Sequence, residues 1–293
     1  MCRSLTSYPA DGIQENAMKR KKLMTITLSI LGLILIIFIT GKINLSIKFG
    51  TEVKELFAQS KSISDQAFHK TQLDGLPEPV QRYFNHILKE GQPYISYARI
   101  KHNGQFKTDL DKGWINITGE QYATTEKPGF IWKGTTSMFV ARDMYISDQG
   151  RLIATLFSVY NVVDAKGEKY NEGELLRWLG ESVLYPTNFL PGNRLQWTAI
   201  DANTAKLTLH YKELSLFFKI TFNDMGEITE METKRYMGDK GLETWVIKAT
   251  NYRELNNVFI PTVFDVLWRL DKGDFSYAKF NITEVEYDKP EKF

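Results

Sequence analysis

Leu214-Ser-Leu-Phe-Phe-Lys-Ile-Thr-Phe222 alternates apolar and polar side chains along most of its length. Leu214, Leu216, Phe218, Ile220 and Phe222 share one face, while Ser215, Lys219 and Thr221 share the other. A period of two is the mark of a strand with one face buried. Asp224-Met225-Gly226 follows it and supplies turn chemistry. Working outward, Phe264, Val266, Trp268 and Leu270 alternate in the same way against Asp265 and Arg269. Asn103-Gly104, Asp111-Lys112-Gly113, Asp148-Gln149-Gly150, Asp164-Ala165-Lys166-Gly167 and Asp271-Lys272-Gly273 punctuate further segments of strand composition. The strands predicted are 94–107, 114–124, 129–137, 139–147, 151–163, 194–200, 204–212, 214–223, 227–236, 243–253, 262–270 and 274–287. Within 151–163 the run from Leu152 to Val163 is apolar on both faces, so that strand is expected to be covered on both sides, one cover being a helix.

Few helices interrupt this series. Val53, Leu56, Phe57, Ile63, Ala67 and Phe68 recur at helical spacing. Pro77 suits a first helical turn, Val80, Tyr83, Phe84, Ile87 and Leu88 form one apolar stripe, and Gly91 can close the end. A third helix is predicted over 172–185, with Asn171 as cap and Glu174 completing a capping box. Its stripe is Leu175, Trp178, Leu179, Ser182 and Val183, and Pro186 follows its end. Consecutive hairpins of this kind predict a mainly β (α+β) fold: a curved antiparallel sheet or unclosed β-barrel capped by two or three helices.

Ahead of the strands, Leu23 to Thr40 contains no charge and no proline, and Lys19-Arg20-Lys21-Lys22 stand directly before it. A bilayer core takes roughly 20 apolar residues of helix, with about 17 as the lower limit. The basic residues place the N-terminus on the cytoplasmic side. The organisation expected is therefore a cytoplasmic tail over 1–22, a transmembrane helix over 23–40, a juxtamembrane helix or stalk over 41–70 and an extracytoplasmic β domain over 71–293. Localisation would be the cell membrane, single-pass. A cleaved signal peptide is the alternative, but its apolar core runs to only about 7–15 residues, and Phe38 to Ile43 offers no small-x-small site. Cys2, the one cysteine, precedes the apolar run, where it cannot serve as a lipoprotein attachment point. Met18, just before the basic cluster, has the setting of an initiator, the alternative being that residues 1–17 are a short cytoplasmic tail.

The chain carries 37 Lys/Arg and 35 Asp/Glu, a net +2. Seven of the basic and two of the acidic residues fall within 1–48, leaving 30 against 33, a net −3 for the remainder. That balance lacks the basic footprint of a nucleic-acid binder, so nucleic acid is excluded as a partner. No disulfide can form beyond Cys2, and the length suffices for a core without one.

No nucleophile elbow, phosphate loop or short-spaced histidine pair occurs. His69, His86, His102 and His210 are scattered, and Asp109, Asp111, Asp148 and Asp164 sit in turns. No catalytic residue, metal ligand or cofactor is therefore assigned. What stands out is aromatic content, 13% of the chain. In an ordinary β core these rings fill the interior. In a curved sheet too wide to fill itself they line an apolar cavity, and Phe130, Trp132, Phe157, Trp178, Trp197, Trp245 and Trp268 are the candidates for that lining. Glu120, Glu174, Arg177, Glu181 and Glu243 form the candidate polar cluster. Arg177 lies at helical spacing from both Glu174 and Glu181, and burial of this group is expected because the same helix buries Trp178.

Leu76-Pro77-x-Pro79-Val80-x-Arg82-Tyr83, Glu120-Gln121, Pro128-x-Phe130-x-Trp132, Gly173-Glu174-Leu175-x-Arg177-x-Leu179-x-Glu181, Pro186, Trp197, Glu243-Thr244-Trp245 and Ile260-Pro261 stand in an order that resembles an uncharacterised bacterial membrane-anchored family. The resemblance spans about residues 70–287, with Trp178 a departure from a more usual Tyr. It implies kinship and supplies no activity. More distantly, the plan is similar to the lipoprotein-carrier and sigma-factor-regulator fold, which implies an unclosed barrel with helices over its open face and an apolar cavity between.

Three functions are open to such a chain. The first is a membrane-anchored extracytoplasmic module that binds a lipid or other apolar ligand. The second is a module that binds an envelope protein through a filled barrel. The third is a hydrolase using two of Glu120, Glu181 and Glu243. An apolar void favours the first, a packed interior the second, and two converging acids the third.

Overall fold

The computed structural model describes residues 10–60, 62–238 and 241–293. Thirteen strands form one antiparallel sheet: β1 Tyr97–Phe106, β2 Ile115–Thr124, β3 Gly129–Thr135, β4 Phe139–Ile146, β5 Gln149–Leu156, β6 Tyr160–Lys166, β7 Leu195–Asp201, β8 Thr204–Tyr211, β9 Leu214–Phe222, β10 Ile228–Tyr236, β11 Leu242–Leu255, β12 Val258–Leu270 and β13 Gly273–Tyr287. Their spatial order is β6-β5-β4-β3-β2-β1-β13-β12-β11-β10-β9-β8-β7, so β6 and β7 are free edges and the sheet is not closed. The three α-helices are α1 Ala10–Ala58, α2 Glu78–Ile87 and α3 Glu168–Glu181.

The sheet must curve strongly. Laid flat, thirteen strands would span about 58 Å at ~4.8 Å per strand. Yet α3, 14 residues and so about 21 Å long, touches β3, β4, β5 and β6 on one side and β9 and β10 on the other. One short helix can bridge both halves only if the sheet wraps round it. The main core lies inside that curve, between the sheet and α2, α3 and the turns at 182–190. A second core lies outside it. There Phe49, Val53, Leu56 and Phe57 of α1 pack on Tyr97, Tyr122, Ile131, Met144, Ile146 and Ile153.

The structure departs from the sequence reading at several points. Residues 1–9 of the expected tail lie outside the described residues, and α1 already runs from Ala10. It continues unbroken through the apolar run, so residues 41–58 are part of the same helix. Ile63, Ala67 and Phe68 are not helical; the chain there is extended, with Ala67 bridging Pro93 and Phe68 buried in the main core. Helix α3 starts at Glu168 behind Gly167, and Asn171 does not cap it. The Asn171 side chain instead accepts a hydrogen bond from the Gly150 N–H at 2.8 Å, tying the helix to β5. A Cβ at Gly150 would lie 2.1 Å from the Tyr170 carbonyl oxygen, so only glycine lets helix and strand approach this closely.

The predicted strand 151–163 is two strands. Phe157 and Ser158 take φ of +50° and +63°, and the Val159 N–H bonds the Leu156 carbonyl at 3.0 Å, which closes a tight hairpin. Positive φ at both central residues gives a turn whose twist matches the flanking strands. Neither residue is Asn or Gly, which hid the turn. β5 is covered on both faces, by α3 and α1, as expected. β6 is an edge strand, and Tyr160, Val162 and Val163 are exposed.

Candidate functional site

Inside the curve, under α3, lies a cavity of about 300 Å³. Its apolar wall comes from inward positions of the central strands: Ile100, Trp132, Trp245, Ile247, Phe264, Val266 and Trp268 among them. Aromatic hydrogen bonds lock this wall. Trp245 Nε1 donates to Tyr277 Oη at 3.0 Å, and Trp132 Nε1 donates to His102 Nε2 at 2.7 Å. Burial, with Arg177 nearby, lowers His102 to about 4. The ring is therefore neutral, and because Nε2 accepts, its proton sits on Nδ1.

The other wall is polar and comes from α3. Arg177 Nε donates to Glu181 at 2.8 Å and its Nη1 to Asp143 of β4. Gln121 donates to the second Glu181 oxygen at 2.7 Å. Glu174 pairs with Arg235 of β10 at 3.1 Å, not with Arg177 as its helical spacing suggested. Arg177 lies over the Phe130 and Trp132 rings, 5.1 and 4.8 Å from their centres, and Arg235 lies 4.6 Å over Trp245. Such stacking is worth about 2 kcal/mol or more where water is excluded.

Burial sets the protonation of this group. It pushes Glu174 up to about 8, Asp143 adds to the rise, and Arg235 and Arg177 offset only part of it. Glu174 therefore keeps its proton at neutral pH. Burial raises Asp143 too, against the pull of Arg177 and Arg235. For Arg177 burial opposes the charge, but Glu181, Asp143 and Glu174 more than compensate and its pKa rises. Two guanidiniums thus face three carboxyl groups, one of them neutral, so the buried part of the polar wall is close to charge balance, and exposed Lys169 of α3 adds a cation to the lining. Asp143 Oδ1, Glu174 Oε2 and His102 Nδ1 are buried without a hydrogen-bond partner, and all three residues line the cavity.

The cavity lies toward one rim of the sheet. Phe106, Ile117, Phe139, Tyr236, Trp268 and Tyr277, at or near strand ends on that rim, line it. The ends on the opposite rim, Tyr97, Thr124, Gly129, Ile146, Ile228, Leu255, Val258 and Tyr287, do not. That opposite rim is plugged. Trp178 Nε1 bonds the Thr124 carbonyl at 2.8 Å, Tyr287 Oη bonds the Leu184 carbonyl at 2.7 Å, and Phe84 and Phe189 pack edge-on against Trp197.

Of the seven expected lining aromatics, Trp132, Trp245 and Trp268 line the cavity. Phe130, Trp178 and Trp197 do not; they are buried in the solid part of the core. Phe157 lies outside altogether, 46% exposed at the β5–β6 turn. Of the polar candidates, Glu174, Arg177 and Glu181 line the cavity. Glu120 faces the other side of β2, where it pairs with Lys133 and accepts from Tyr122 Oη at 3.2 Å. Glu243, at the start of β11, is not part of the lining. The acids weighed for hydrolysis therefore do not converge. Asp143, Arg235, His102 and Gln121 were missed. Asp143 shares an alternation phase with Phe139, Ala141 and Tyr145, which marks an inward charge. The opposite phase, Val140, Arg142 and Met144, is equally buried, so alternation could not say which way was in.

Among the described residues, one stretch of helix, Met18–Ala58 within α1, is long and apolar enough to cross a membrane. Among the described residues, no three His, Cys, Asp or Glu group to hold a metal ion. No curated protein matches the chain. Solved structures similar to it include two bacterial proteins. One is a putative outer membrane lipoprotein-sorting protein domain from Vibrio parahaemolyticus, at 8% identity and a TM-score of 0.38, covering 66% of this chain and 86% of its own. The other is a LolA superfamily protein from Nitrosomonas europaea, at 10% identity and a TM-score of 0.38, covering 71% and 91%. Residues 66–280, spanning the helices and strands that build the cavity, match the family of unknown function DUF6544, and the chain belongs to that family.

Proposed function

We propose that this chain is a membrane-anchored extracytoplasmic module whose cavity takes up a lipid or similar ligand with an apolar body and a small uncharged polar head. The observation that carries the reading is the cavity itself: about 300 Å³, walled by Trp132, Trp245, Trp268, Phe264 and Val266, and ending on a polar group. Sites of this size, mostly apolar with a few convergent polar atoms, are the usual form for small molecules. Burying the ligand's apolar surface would contribute about 25 cal/mol per Å². The head's chemistry follows from the polar wall. Its buried charges are balanced, so a charged head set against Glu174 and Asp143 would be left without a counter-ion, whereas exposed Lys169 belongs to the outer part of the lining. Protonated Glu174 and the Asp143 oxygen offer one donor and one acceptor, which suits a hydroxyl or an ester. The run at 23–40 behind four cations supports anchoring with the domain outside.

The test is the ligand content of residues 44–293, which keep the half of α1 that packs on the sheet. Lipid should co-purify and be visible by native mass spectrometry. Ala141→Trp, at a position lining the cavity, should displace it. A ligand-free domain that also takes up no fluorescent acyl probe would sink the reading in favour of binding to an envelope protein.

A further inference from the structure

The hairpin that joins β5 to β6 leaves apolar side chains exposed where a water-soluble domain would hide them. Phe157, Val159 and Val162 are about half exposed, and Tyr160 is 69% exposed. The neighbouring β3–β4 turn adds exposed Met138, whose carbonyl accepts the Phe157 N–H at 2.7 Å. The two turns form one apolar tip. An exposed apolar edge invites self-association unless something covers it.

The position of the tip says what covers it. The Phe157 ring packs edge-on against Phe38, with centres 5.7 Å apart. Phe38 lies inside the uncharged run, two residues before its end at Thr40. At 1.5 Å per helical residue that is about 3 Å within the apolar segment. Ser158 sits against Gly41, where a Cβ would come within 2.6 Å of the Ser158 carbonyl oxygen and 3.0 Å of Val159 Cγ2. Only glycine lets the hairpin lie this close to the helix. A helix that carries 23–40 through a bilayer therefore carries the tip to the level of the acyl chains.

We propose that the paired turns at 136–138 and 157–158 insert into the outer leaflet beside α1, forming a second membrane contact. Only the tip can enter. The free edge of β6 has backbone groups that hydrocarbon would not satisfy, so the strand itself stays in the headgroup region and above. An aromatic ring with a polar end, such as Tyr160, suits that boundary. The rim that carries these turns is the rim toward which the cavity lies, since Phe139 follows Met138 directly and lines it. Insertion would thus hold the cavity's near end at the lipid surface. The proposal rests on the membrane-anchor reading, and it names the leaflet as the source of the cavity's ligand.

The test uses the full chain with Cys2→Ser and single cysteines at position 30, 157, 160 or 225, each carrying a polarity-sensitive fluorophore. The vesicles are phosphatidylethanolamine and phosphatidylglycerol, with and without brominated acyl chains. Position 30 marks the helix, and position 225, where Met225 is 63% exposed on a distant turn, marks water. Labels at 157 and 160 should be quenched roughly half as strongly as at 30 or more, as expected for an interfacial depth of about 5–10 Å, and position 225 should not be quenched. Quenching at 30 with 157 and 160 behaving like 225 overturns the proposal and leaves the anchor standing. No quenching at 30 overturns the anchor and the proposal with it. Phe157→Ser with Val159→Ser provides a second readout. These side chains are exposed, so the melting temperature should hold while the label at 160 loses its quenching. Unchanged quenching in that variant also counts against insertion. None of these measurements reads the cavity, so the ligand-binding proposal stands or falls separately.

Discussion

The half of the sheet formed by β2 to β5 carries a helix on each face, and the two faces are built differently. Outside, α1 lays Phe49, Val53, Leu56 and Phe57 on a matching apolar surface, and a cleft opens only further along the helix, where Gly41, Asn44 and Lys48 face Arg142 and Thr155. Inside, α3 faces the sheet with Glu174, Arg177 and Glu181, and a cavity remains. Neighbouring residues of one strand serve the two sides: Arg142 pairs with Glu52 of α1, and Asp143 pairs with Arg177 of α3. The difference is one of curvature. A helix on the convex side lies along the surface and packs on it, as α1 does from Phe49 to Phe57. A helix across the concave side touches both halves of the sheet and bridges the hollow between, as α3 does. A curved sheet thus makes its outer face a place to attach and its inner face a place to hold something.

Four measurements can break or sharpen this contrast. The largest effect is expected at Arg177. Arg177→Ala strands both Asp143 and Glu181 without their counter-ion, and should cost about 3–5 kcal/mol in a denaturant melt. Arg142→Ala strands Glu52 alone and should cost less. Equal losses would show that the inner cluster is no more interdependent than a single pair.

Next comes truncation on the two faces. Leu56→Ala opens a new hole in the filled outer core and should cost about 2–5 kcal/mol. Val266→Ala only enlarges a hollow that already exists, so it should lose little beyond the transfer free energy of its two methyl carbons, about 1.6 kcal/mol at ~0.8 per carbon. If Val266→Ala costs as much as Leu56→Ala, the inner face is packed and the cavity is not there.

The third measurement is pH dependence. Glu174 has a folded pKa of about 8, above its unfolded value, so between pH 4.5 and 8 the folded state binds more protons than the unfolded one. Its contribution to stability is complete below the unfolded value and is lost as pH rises through 8. Melting temperature should therefore fall across that window, and Glu174→Gln should flatten the fall. A Glu174→Gln profile parallel to wild type would mean that the carboxyl is ionised in the folded protein.

The smallest effect separates room from fullness directly. Ala141→Leu points into the cavity and should change stability by less than about 1 kcal/mol. Ile153→Phe forces volume into the outer core and should cost about 1–3 kcal/mol. Reversed magnitudes would invert the assignment of the two faces.

What the sequence determined on its own was mostly local. Alternation in 214–222 and 262–270, and the turn dipeptides between strands, follow from side chains that must point to water or away from it. The apolar run at 23–40 and the stripe of Val80, Tyr83, Phe84 and Ile87 follow from the same demand at helical period. The group on 174, 177 and 181 was legible because two turns of helix stack those positions on one face. What the tertiary structure decided was everything set by residues far apart in the chain. The hairpin at Phe157–Ser158 takes positive φ at both positions without an Asn or Gly to announce it. Asp143, Arg235 and His102 reach the cavity from three strands whose order in the sheet is not their order in the sequence. Which aromatic rings fill the core and which line a hollow depends on curvature, and curvature is a property of thirteen strands together. Trp178 and Trp132 are alike in sequence, both aromatic and both on buried faces. Only the wrapping of the sheet puts one against the Thr124 carbonyl and the other on the wall of the cavity.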